Sequence, residues 1–123
     1  FPLCDSAKLI EYFTPIFKNL RNENIYMLML NNKLEQLNCI KLAEGNAMCA
    51  QISPKVILTR AIEHRCSCVA LAHNHPIGSS FPSSEDIQFT EKLEYLLKQC
   101  GICLIDHIII SPEGGTSICG LRM

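Results

Sequence analysis

The sequence predicts an α/β fold in which a mixed β-sheet is flanked by helices, giving three layers. Short apolar runs typical of buried strands alternate along the chain with longer segments whose apolar residues recur at helical spacing. The chain has 123 residues, of which 48% are apolar, and this is enough for one core but too few to expect two. We therefore expect residues 1–123 to form a single domain, in which no repeat or low-complexity segment is evident.

The first predicted elements are a helix and two neighbouring strands. Apolar residues at helical spacing predict a helix over residues 6–20, which Pro15 should kink or break. Residues 24–32 contain a run that is apolar on both faces, as expected of a central strand. The pair Asn31-Asn32 marks a turn, after which residues 33–43 should return as a neighbouring strand. The helical spacing rests on Ile10, Phe13 and Phe17.

The middle of the chain predicts a second helix, a strand and a loop. Ser53 is a suitable N-cap and Pro54 a suitable first residue for the helix. Residues 67–73 form a mostly apolar strand, and the Pro- and Gly-containing residues 76–82 form the loop after it. The inner face of the second helix is expected to consist of Val56, Ile57, Ala61 and Ile62.

A third helix and two strands complete the prediction. The helix should run over residues 84–99 and end at Gly101. Residues 102–110 are a further core strand, and a short strand should begin at Gly114-Gly115 and continue through Ile118. The residues expected to be buried along the third helix are Phe89, Leu93, Leu96 and Cys100.

The composition argues against two classes of protein, those that bind nucleic acid and those that span a membrane. The formal net charge is −1, from 11 basic and 12 acidic residues, and no run gathers five or six like charges. A nucleic-acid surface therefore has no direct support in this chain. The longest apolar runs are too short to cross a bilayer and no charged-then-apolar leader opens the chain, so we expect a soluble, cytoplasmic protein. Because the chain begins at Phe1, we also expect further sequence upstream.

Eight cysteines raise the question of disulfides or a structural metal. Without a secretory leader, and with an apolar core available, we expect most of them to be small buried thiols rather than a disulfide framework. One alternative stays open: Cys66-x-Cys68 and Cys100-x-x-Cys103 could form a tetrathiolate zinc site. The cysteines are at positions 4, 39, 49, 66, 68, 100, 103 and 119.

The most informative stretch, residues 71–87, predicts a catalytic metal site. His73 and His75 are two apart at the end of a strand, so both imidazoles can point to one face. Asp86 would bring a carboxylate from the start of the next helix. Two imidazoles and a carboxylate suit zinc, and three protein ligands leave the fourth tetrahedral position open for water. An open position favours catalysis over a purely structural role.

Each of these residues also has a structural interpretation. Ser83-x-x-Asp86 before an apolar helix is a capping box, in which both side chains satisfy backbone donors. The two interpretations are compatible, because a helix that begins at Ser83 would direct Asp86 toward the strand end that carries the histidines. A single histidine beside an apolar strand would usually be a packed core residue. Two on one face beside a loop are harder to explain by packing, since open α/β sheets bind ligands there.

The stretch HNHPIGSSFPSSEDI resembles the JAMM signature of the MPN/JAB metalloprotease-like proteins, and its surroundings resemble the bacterial RadC family in particular. The later run LIDHIII, residues 104–110, is similar to a strand of that family. Lys55 departs from the family pattern, where an arginine is usual. The resemblance extends over residues 21–121, preceded by a leading helical segment at 1–20. Further matching positions are Ala72, Pro76, Gly78, Pro82, Ile87 and Thr90.

This resemblance implies a JAB/MPN architecture, whose layering is similar to that of cytidine deaminases, around a JAMM core at 21–121. It implies Zn²⁺ held by His73, His75 and Asp86, with Glu23 as the general base and Ser83 as the donor to the oxyanion. Without the family, Glu23 could not be chosen over the other glutamates. Asp106 and His107 are weaker candidates: one could orient a metal ligand through a hydrogen bond, or both could serve the fold.

Two functions follow from the resemblance and stay open at this point. The first is a zinc-dependent hydrolase that cleaves a peptide or isopeptide-like amide, with an unknown peptide or protein as substrate. The second is a RadC module associated with DNA repair that has a non-catalytic or nucleic-acid-linked interaction role and could contact nucleic acid through a segment upstream of this chain. The complete set of site residues favours the first. The sequence predicts neither the substrate nor the oligomeric state.

Overall fold

A five-stranded mixed sheet organises the protein, as seen in a computed structural model that describes residues 5–45 and 52–121. This confirms the predicted α/β class with helices flanking the sheet. In chain order the elements are α1 Ser6–Phe17, β1 Glu23–Leu30, β2 Gln36–Gly45, α2 Pro54–Glu63, β3 Cys68–Asn74, α3 Ser84–Gln99, β4 Cys103–Ser111, β5 Gly114–Ser117 and α4 Ile118–Leu121.

The order of strands across the sheet is β2-β1-β3-β4-β5. β1 lies between β2 and β3 and is antiparallel to both, and this interior position agrees with its apolar character on both faces. β3 and β4 are parallel, so the chain must cross over between them, and α3 makes this crossover. As a result, the start of β1 lies beside the end of β3, and α3 begins just beyond that end.

Two apolar clusters lie on opposite faces of the sheet, and together with the sheet they give the three predicted layers. One cluster packs α2 and α3 against the sheet through residues that include Ile57, Leu93 and Leu71. The other packs α1 against the opposite face through residues that include Phe13 and Ala70. Leu71 and Ala70, which are neighbours in β3, therefore pack against helices on opposite faces of the sheet, as strand alternation requires.

The first helix differs from its prediction at the C-terminal end. α1 is not broken at Pro15, which lies inside it, but it ends at Phe17 rather than near residue 20. Proline at this position removes one helical donor close to the end of the helix, where few further hydrogen bonds depend on it. The chain leaves the helix through Asn19, which has a positive φ of 69°. The residues that face the sheet are Leu9, Phe13 and Phe17.

The predicted inner faces of α2 and α3 were partly wrong. In α2, Ile57 and Ala61 are buried, whereas Val56 is 47% exposed and Ile62 is 53% exposed. Ile57 and Ala61, four residues apart, form the narrow stripe that contacts the sheet, and Val56 and Ile62 lie on either side of it.

In α3, Leu97 is buried in place of Leu96, and Cys100 is exposed. Asp86 and Leu97 are 11 residues apart, close to three turns of 3.6 residues, so both lie on the buried face. The buried leucine is therefore the one that shares a helix face with Asp86.

The cysteine prediction was wrong about burial. Of the six cysteines in the described residues, only Cys66 is buried, and Cys100 and Cys103 are exposed. Cys4 and Cys49 lie outside the described residues. Burial raises the pKa of Cys66 and of Cys68, which opposes the thiolate form that zinc binds. Within 5–45 and 52–121, no thiol belongs to a cluster that could hold a metal ion.

Asp106 joins α1 to the last two elements across one face of the sheet. Its side chain accepts hydrogen bonds from Ser6 Oγ at 2.9 Å, Ser117 Oγ at 2.7 Å and the Cys119 backbone N at 3.2 Å. It also accepts one from the backbone N of His107 at 2.8 Å. Asp106 is 3% exposed, so these four donors replace the water that a carboxylate would otherwise bind.

We predict that Asp106→Ala lowers the free energy of unfolding by at least about 1–3 kcal/mol, because several buried donors lose their acceptor. Ser6→Ala is the matched control, since it removes one of these donors and should cost about 0.5–1.5 kcal/mol. Urea denaturation of both variants measures the difference. If Asp106→Ala unfolds no more easily than Ser6→Ala, the carboxylate does not anchor these segments.

Candidate metal centre

The pairing of β1 with β3 brings the predicted site residues together. Ile25 pairs with His73, which places Glu23, the first residue of β1, near the end of β3. His73 is fully buried, and His75 follows one residue beyond the strand. The backbone N of His75 donates to the carbonyl of Ile110 at 2.8 Å, so the chain stays in line with β4. The two imidazoles therefore share a face, as the H-x-H spacing predicts.

The distances among these side chains suit a tetrahedral metal ion. His73 Nε2 and His75 Nε2 are 3.3 Å apart, and each lies 3.4 Å from a different oxygen of Asp86. Two nitrogen or oxygen ligands at roughly 2.0–2.1 Å from a tetrahedral zinc ion are about 3.3–3.4 Å apart. Glu23, His73 and His75 also each offer a ligand atom, and these atoms all lie within 4.8 Å of one another. This group could hold a metal ion.

Asp86 belongs both to the capping box and to this cluster. Its backbone N donates to Ser83 Oγ at 3.0 Å, and its Oδ2 accepts from the Ser83 backbone N at 2.9 Å. The box fixes the carboxylate at the start of α3, with its oxygens directed at the histidines. The two interpretations of Ser83 and Asp86 therefore describe one arrangement. Ser83 itself is exposed, at the rim of the cluster.

The electrostatics follow from this packing. Burial alone would raise the pKa of Asp86, but the neighbouring imidazoles of His73 and His75, together with the Ser83 backbone N–H, outweigh burial and hold the pKa well below its usual range. The Asp86 carboxylate in turn raises the pKa of His75, against the opposing effect of burial, with smaller contributions from the Ser79 carbonyl and Glu23. Asp86 is thus ionised, as a metal ligand must be.

Of the two weaker candidates, only His107 reaches the cluster. His107 Nε2 lies 2.7 Å from His73 Nδ1, the ring nitrogen that faces away from Asp86. Its other nitrogen, Nδ1, lies 2.6 Å from Thr90 Oγ1. Burial lowers the pKa of His107 well below its usual value, and neighbouring His73 adds to this effect. Asp106 points to the opposite face of the sheet, among the partners described above.

One residue that supports the position of Glu23 was not predicted from the sequence. Asn74, the middle residue of the H-x-H motif, points away from the histidines and is 3% exposed. Its Oδ1 accepts from the backbone N of Asn24 at 2.6 Å, and its Nδ2 donates to the carbonyl of Asn22 at 3.0 Å. It therefore holds the backbone on either side of Glu23. A polar residue at a core position of an apolar strand was the one feature that could have indicated it.

Two clefts meet at His75 and Pro76. One, of about 290 Å³, is lined by Glu23, His75 and Pro76 together with Arg21 and Ile77. The other, of about 430 Å³, shares His75 and Pro76 and extends along the end of α1 and the end of β4. The loop beside them carries two large apolar side chains in solvent, Ile77 at 91% and Phe81 at 71% exposure.

Comparison with known proteins identifies the class of this fold and site as a JAB domain. The RadC-like JAB domain family matches residues 3–122, which is nearly the whole chain. The chain belongs to this family, as the resemblance in its motifs predicted.

Relatives in several bacteria support the assignment. A UPF0758 protein of Acinetobacter baumannii is 36% identical over 94% of this chain and 49% of its own length. UPF0758 proteins of Symbiobacterium thermophilum and Enterococcus faecalis are 30% and 34% identical, over 94% and 82% of this chain and 49% and 44% of their own lengths. The chain thus spans about half the length of these relatives. Within the described residues, no helix is both long and apolar enough to cross a membrane.

We predict that the two members of the capping box differ in their effect on metal binding. Ser83→Ala should cost about 0.5–2 kcal/mol of stability as a lost cap and leave zinc affinity nearly unchanged. Asp86→Asn keeps an acceptor for the Ser83 N–H but loses the charge, so it should weaken zinc binding by more than about 10–100-fold, the range for residues that only support a ligand. Competition with a chelator measures both affinities. Equal, small losses in the two variants would leave Asp86 as a cap only.

We also predict that zinc binding weakens as the pH falls. Zinc must displace the proton from His75, and the raised pKa of this group means that the proton is held at a higher pH than on an ordinary histidine. The loss should therefore begin above about pH 6.5 and approach about tenfold per pH unit for one displaced proton. Zinc titrations at several pH values measure the slope. His64→Ala, which removes the half-buried histidine that caps the end of α2, should leave it unchanged, whereas a flat profile in the unmodified protein would contradict the prediction.

Proposed function

We propose that this chain is a zinc-dependent hydrolase domain that cleaves a peptide or isopeptide-like amide. The observation that carries the proposal is the group of His73, His75 and Asp86, whose mutual distances of 3.3 and 3.4 Å match those of ligands around one tetrahedral ion. Three protein ligands on such an ion leave one position for water or substrate, which is the arrangement of catalytic rather than structural zinc sites.

The bound ion would supply the acidity that makes a water molecule a nucleophile at neutral pH. Glu23 offers a ligand atom within 4.8 Å of those of His73 and His75, and it lines the cleft beside His75. Its carboxylate would take the proton from the attacking water and return it to the departing amine. The strand start that carries Glu23 is held by Asn74, so the carboxylate has a fixed base from which to act.

Ser83 would stabilise the negative charge on the oxygen of the substrate carbonyl. Its hydroxyl oxygen accepts the Asp86 backbone N–H, and this leaves the hydroxyl proton to be donated. Because the same contact fixes the first turn of α3, the donor is positioned before substrate binds. The exposure of Ser83 lets a substrate reach it.

The two clefts that meet at His75 support an extended substrate. A peptide segment needs room on both sides of the bond to be cut, and the clefts extend toward Ile77 on one side and toward the end of α1 on the other. The exposed Ile77 and Phe81 beside them would contact apolar side chains. A non-catalytic module associated with DNA repair would need neither a bound ion nor such a groove, and the experiment below distinguishes it.

We predict that Glu23→Gln keeps the fold and the zinc but lowers amide hydrolysis by at least about 10²–10⁴-fold, because the side-chain amide cannot accept a proton at neutral pH. The assay incubates zinc-loaded protein with libraries of linear and lysine-branched peptides and detects products by mass spectrometry. Glu44→Gln is the matched control, since Glu44 lies opposite Asn24 on β2 and pairs with Lys41.

Three outcomes would contradict parts of this proposal. Loss of zinc from Glu23→Gln would make Glu23 a ligand rather than the base. Full activity of the variant would assign the base elsewhere. An unmodified protein that holds one zinc ion yet cleaves no peptide of either kind would favour the non-catalytic module.

A further inference from the structure

A buried chain of hydrogen bonds leads from the start of α3 to the outer nitrogen of a candidate metal ligand. Thr90 Oγ1 donates to the Asp86 carbonyl at 2.7 Å and lies 2.6 Å from His107 Nδ1. His107 Nε2 lies 2.7 Å from His73 Nδ1. Thr90, His107 and His73 are each fully buried. Because none of the three side chains is exposed to solvent, the hydrogen bonds that link them have to be satisfied by the donors and acceptors of these groups themselves.

The direction of every donor in the chain follows from its first member. In the structure, Thr90 donates its one hydroxyl proton to the Asp86 carbonyl, which can only accept. Its oxygen can then only accept, and His107 Nδ1 must carry the proton of their contact. A neutral imidazole with its proton on Nδ1 has a lone pair on Nε2. His107 therefore accepts from His73, and the His73 proton lies on Nδ1.

The remaining nitrogen of His73 is then free to bind a metal. With its proton on Nδ1, the neutral ring has a lone pair on Nε2, which faces His75 and Asp86. Asp86 Oδ1 would favour the opposite tautomer, but it lies 3.4 Å from Nε2, beyond the usual 2.7–3.2 Å of an N–H···O bond. The contact with His107 is much shorter, at 2.7 Å, and should prevail.

His75 adopts the same tautomer, with its proton on Nδ1, through a single contact. His75 Nδ1 lies 3.0 Å from the carbonyl of Ser79, which can only accept. A backbone carbonyl from the adjacent loop is thus sufficient for His75. His73 points into the core beside β4, where the His107 side chain, and not a backbone carbonyl, accepts the proton of Nδ1.

We propose that Thr90 and His107 are positioning residues, which hold His73 in the tautomer with its proton on Nδ1 and so prepare Nε2 for the metal before the ion arrives. This inference rests on the metal-binding part of the proposed function and does not require that the domain cleave an amide. Neither residue touches the reacting atoms. They act on the site indirectly, by fixing the orientation of the His73 ring and the position of its proton.

The test uses two matched pairs of variants. Thr90→Val removes the hydroxyl with little change in shape, whereas Thr90→Ser keeps it. His107→Phe keeps a ring but offers no acceptor to His73, whereas His107→Gln offers its side-chain oxygen. Only the variants that lose the acceptor chain should alter the site.

The first measurement is the tautomer of His73 in metal-free protein, from ¹⁵N chemical shifts and long-range ¹H–¹⁵N correlations of the imidazoles. We expect the proton on Nδ1 in the unmodified protein and in Thr90→Ser, and a mixture of tautomers in Thr90→Val and His107→Phe. The second is zinc affinity by competition with a chelator, which should fall by about 10–100-fold in those two variants and recover largely in Thr90→Ser and His107→Gln.

A proton on Nε2 of His73 in the metal-free, unmodified protein would overturn the proposal, and so would unchanged zinc affinity in Thr90→Val. If His107→Phe does not fold, the two Thr90 variants decide the question. Absence of hydrolysis in the zinc-loaded protein would contradict the proposed enzyme but not this inference, since neither measurement depends on turnover.

Discussion

The antiparallel pairing of β1 with β3 is the constraint on which the site depends. With Ile25 opposite His73, Glu23 reaches the end of the strand that carries the histidines. A slip of one residue would turn the histidines toward α1 and bring apolar side chains into the metal centre. Asn74 secures this register where the ladder ends, since its side chain bonds the backbone of Asn22 and Asn24. The middle residue of the H-x-H motif thus fixes the strand that bears the proposed base, while its neighbours face the candidate metal site.

Asp86 connects the stability of the fold with the chemistry of the site. The capping box stabilises the start of α3 whether or not a metal is present, and it also orients the carboxylate. A buried carboxylate is unfavourable without partners, and here two histidines and a backbone donor supply them. The same arrangement therefore satisfies the helix end, gives the buried charge a backbone donor and directs the carboxylate at the histidines. The face of α3 that contains Asp86 continues through Leu93 to Leu97.

Much of the fold could be predicted from the sequence, because strand runs, the N-caps Ser53 and Ser83 and the stop at Gly101 are local features. The H-x-H spacing likewise predicted a shared face for the histidines, since alternation along a strand is fixed. What failed depends on tertiary contacts. Periodicity alone could not distinguish Leu96 from Leu97, because the rotation of α3 about its axis depends on how its buried face packs against the sheet. Thr90 was recognised only as a motif position, and its hydrogen bond with His107 joins residues 17 apart in the chain.

The pair Asp106-His107 shows why a motif can be recognised before its parts can be assigned. Alternation along β4 sends the two side chains to opposite faces, so adjacent residues have unrelated neighbours. Asp106 collects donors from α1, β5 and the turn after it, whereas His107 lies between Thr90 and His73. A carboxylate next to a histidine in sequence suggests one catalytic pair, yet the only hydrogen bond between them runs from the His107 backbone to the Asp106 side chain within the described residues. The anchor of the first helix and the proposed support of His73 therefore come from opposite faces of one strand, and substitutions at the two positions should separate stability from metal binding.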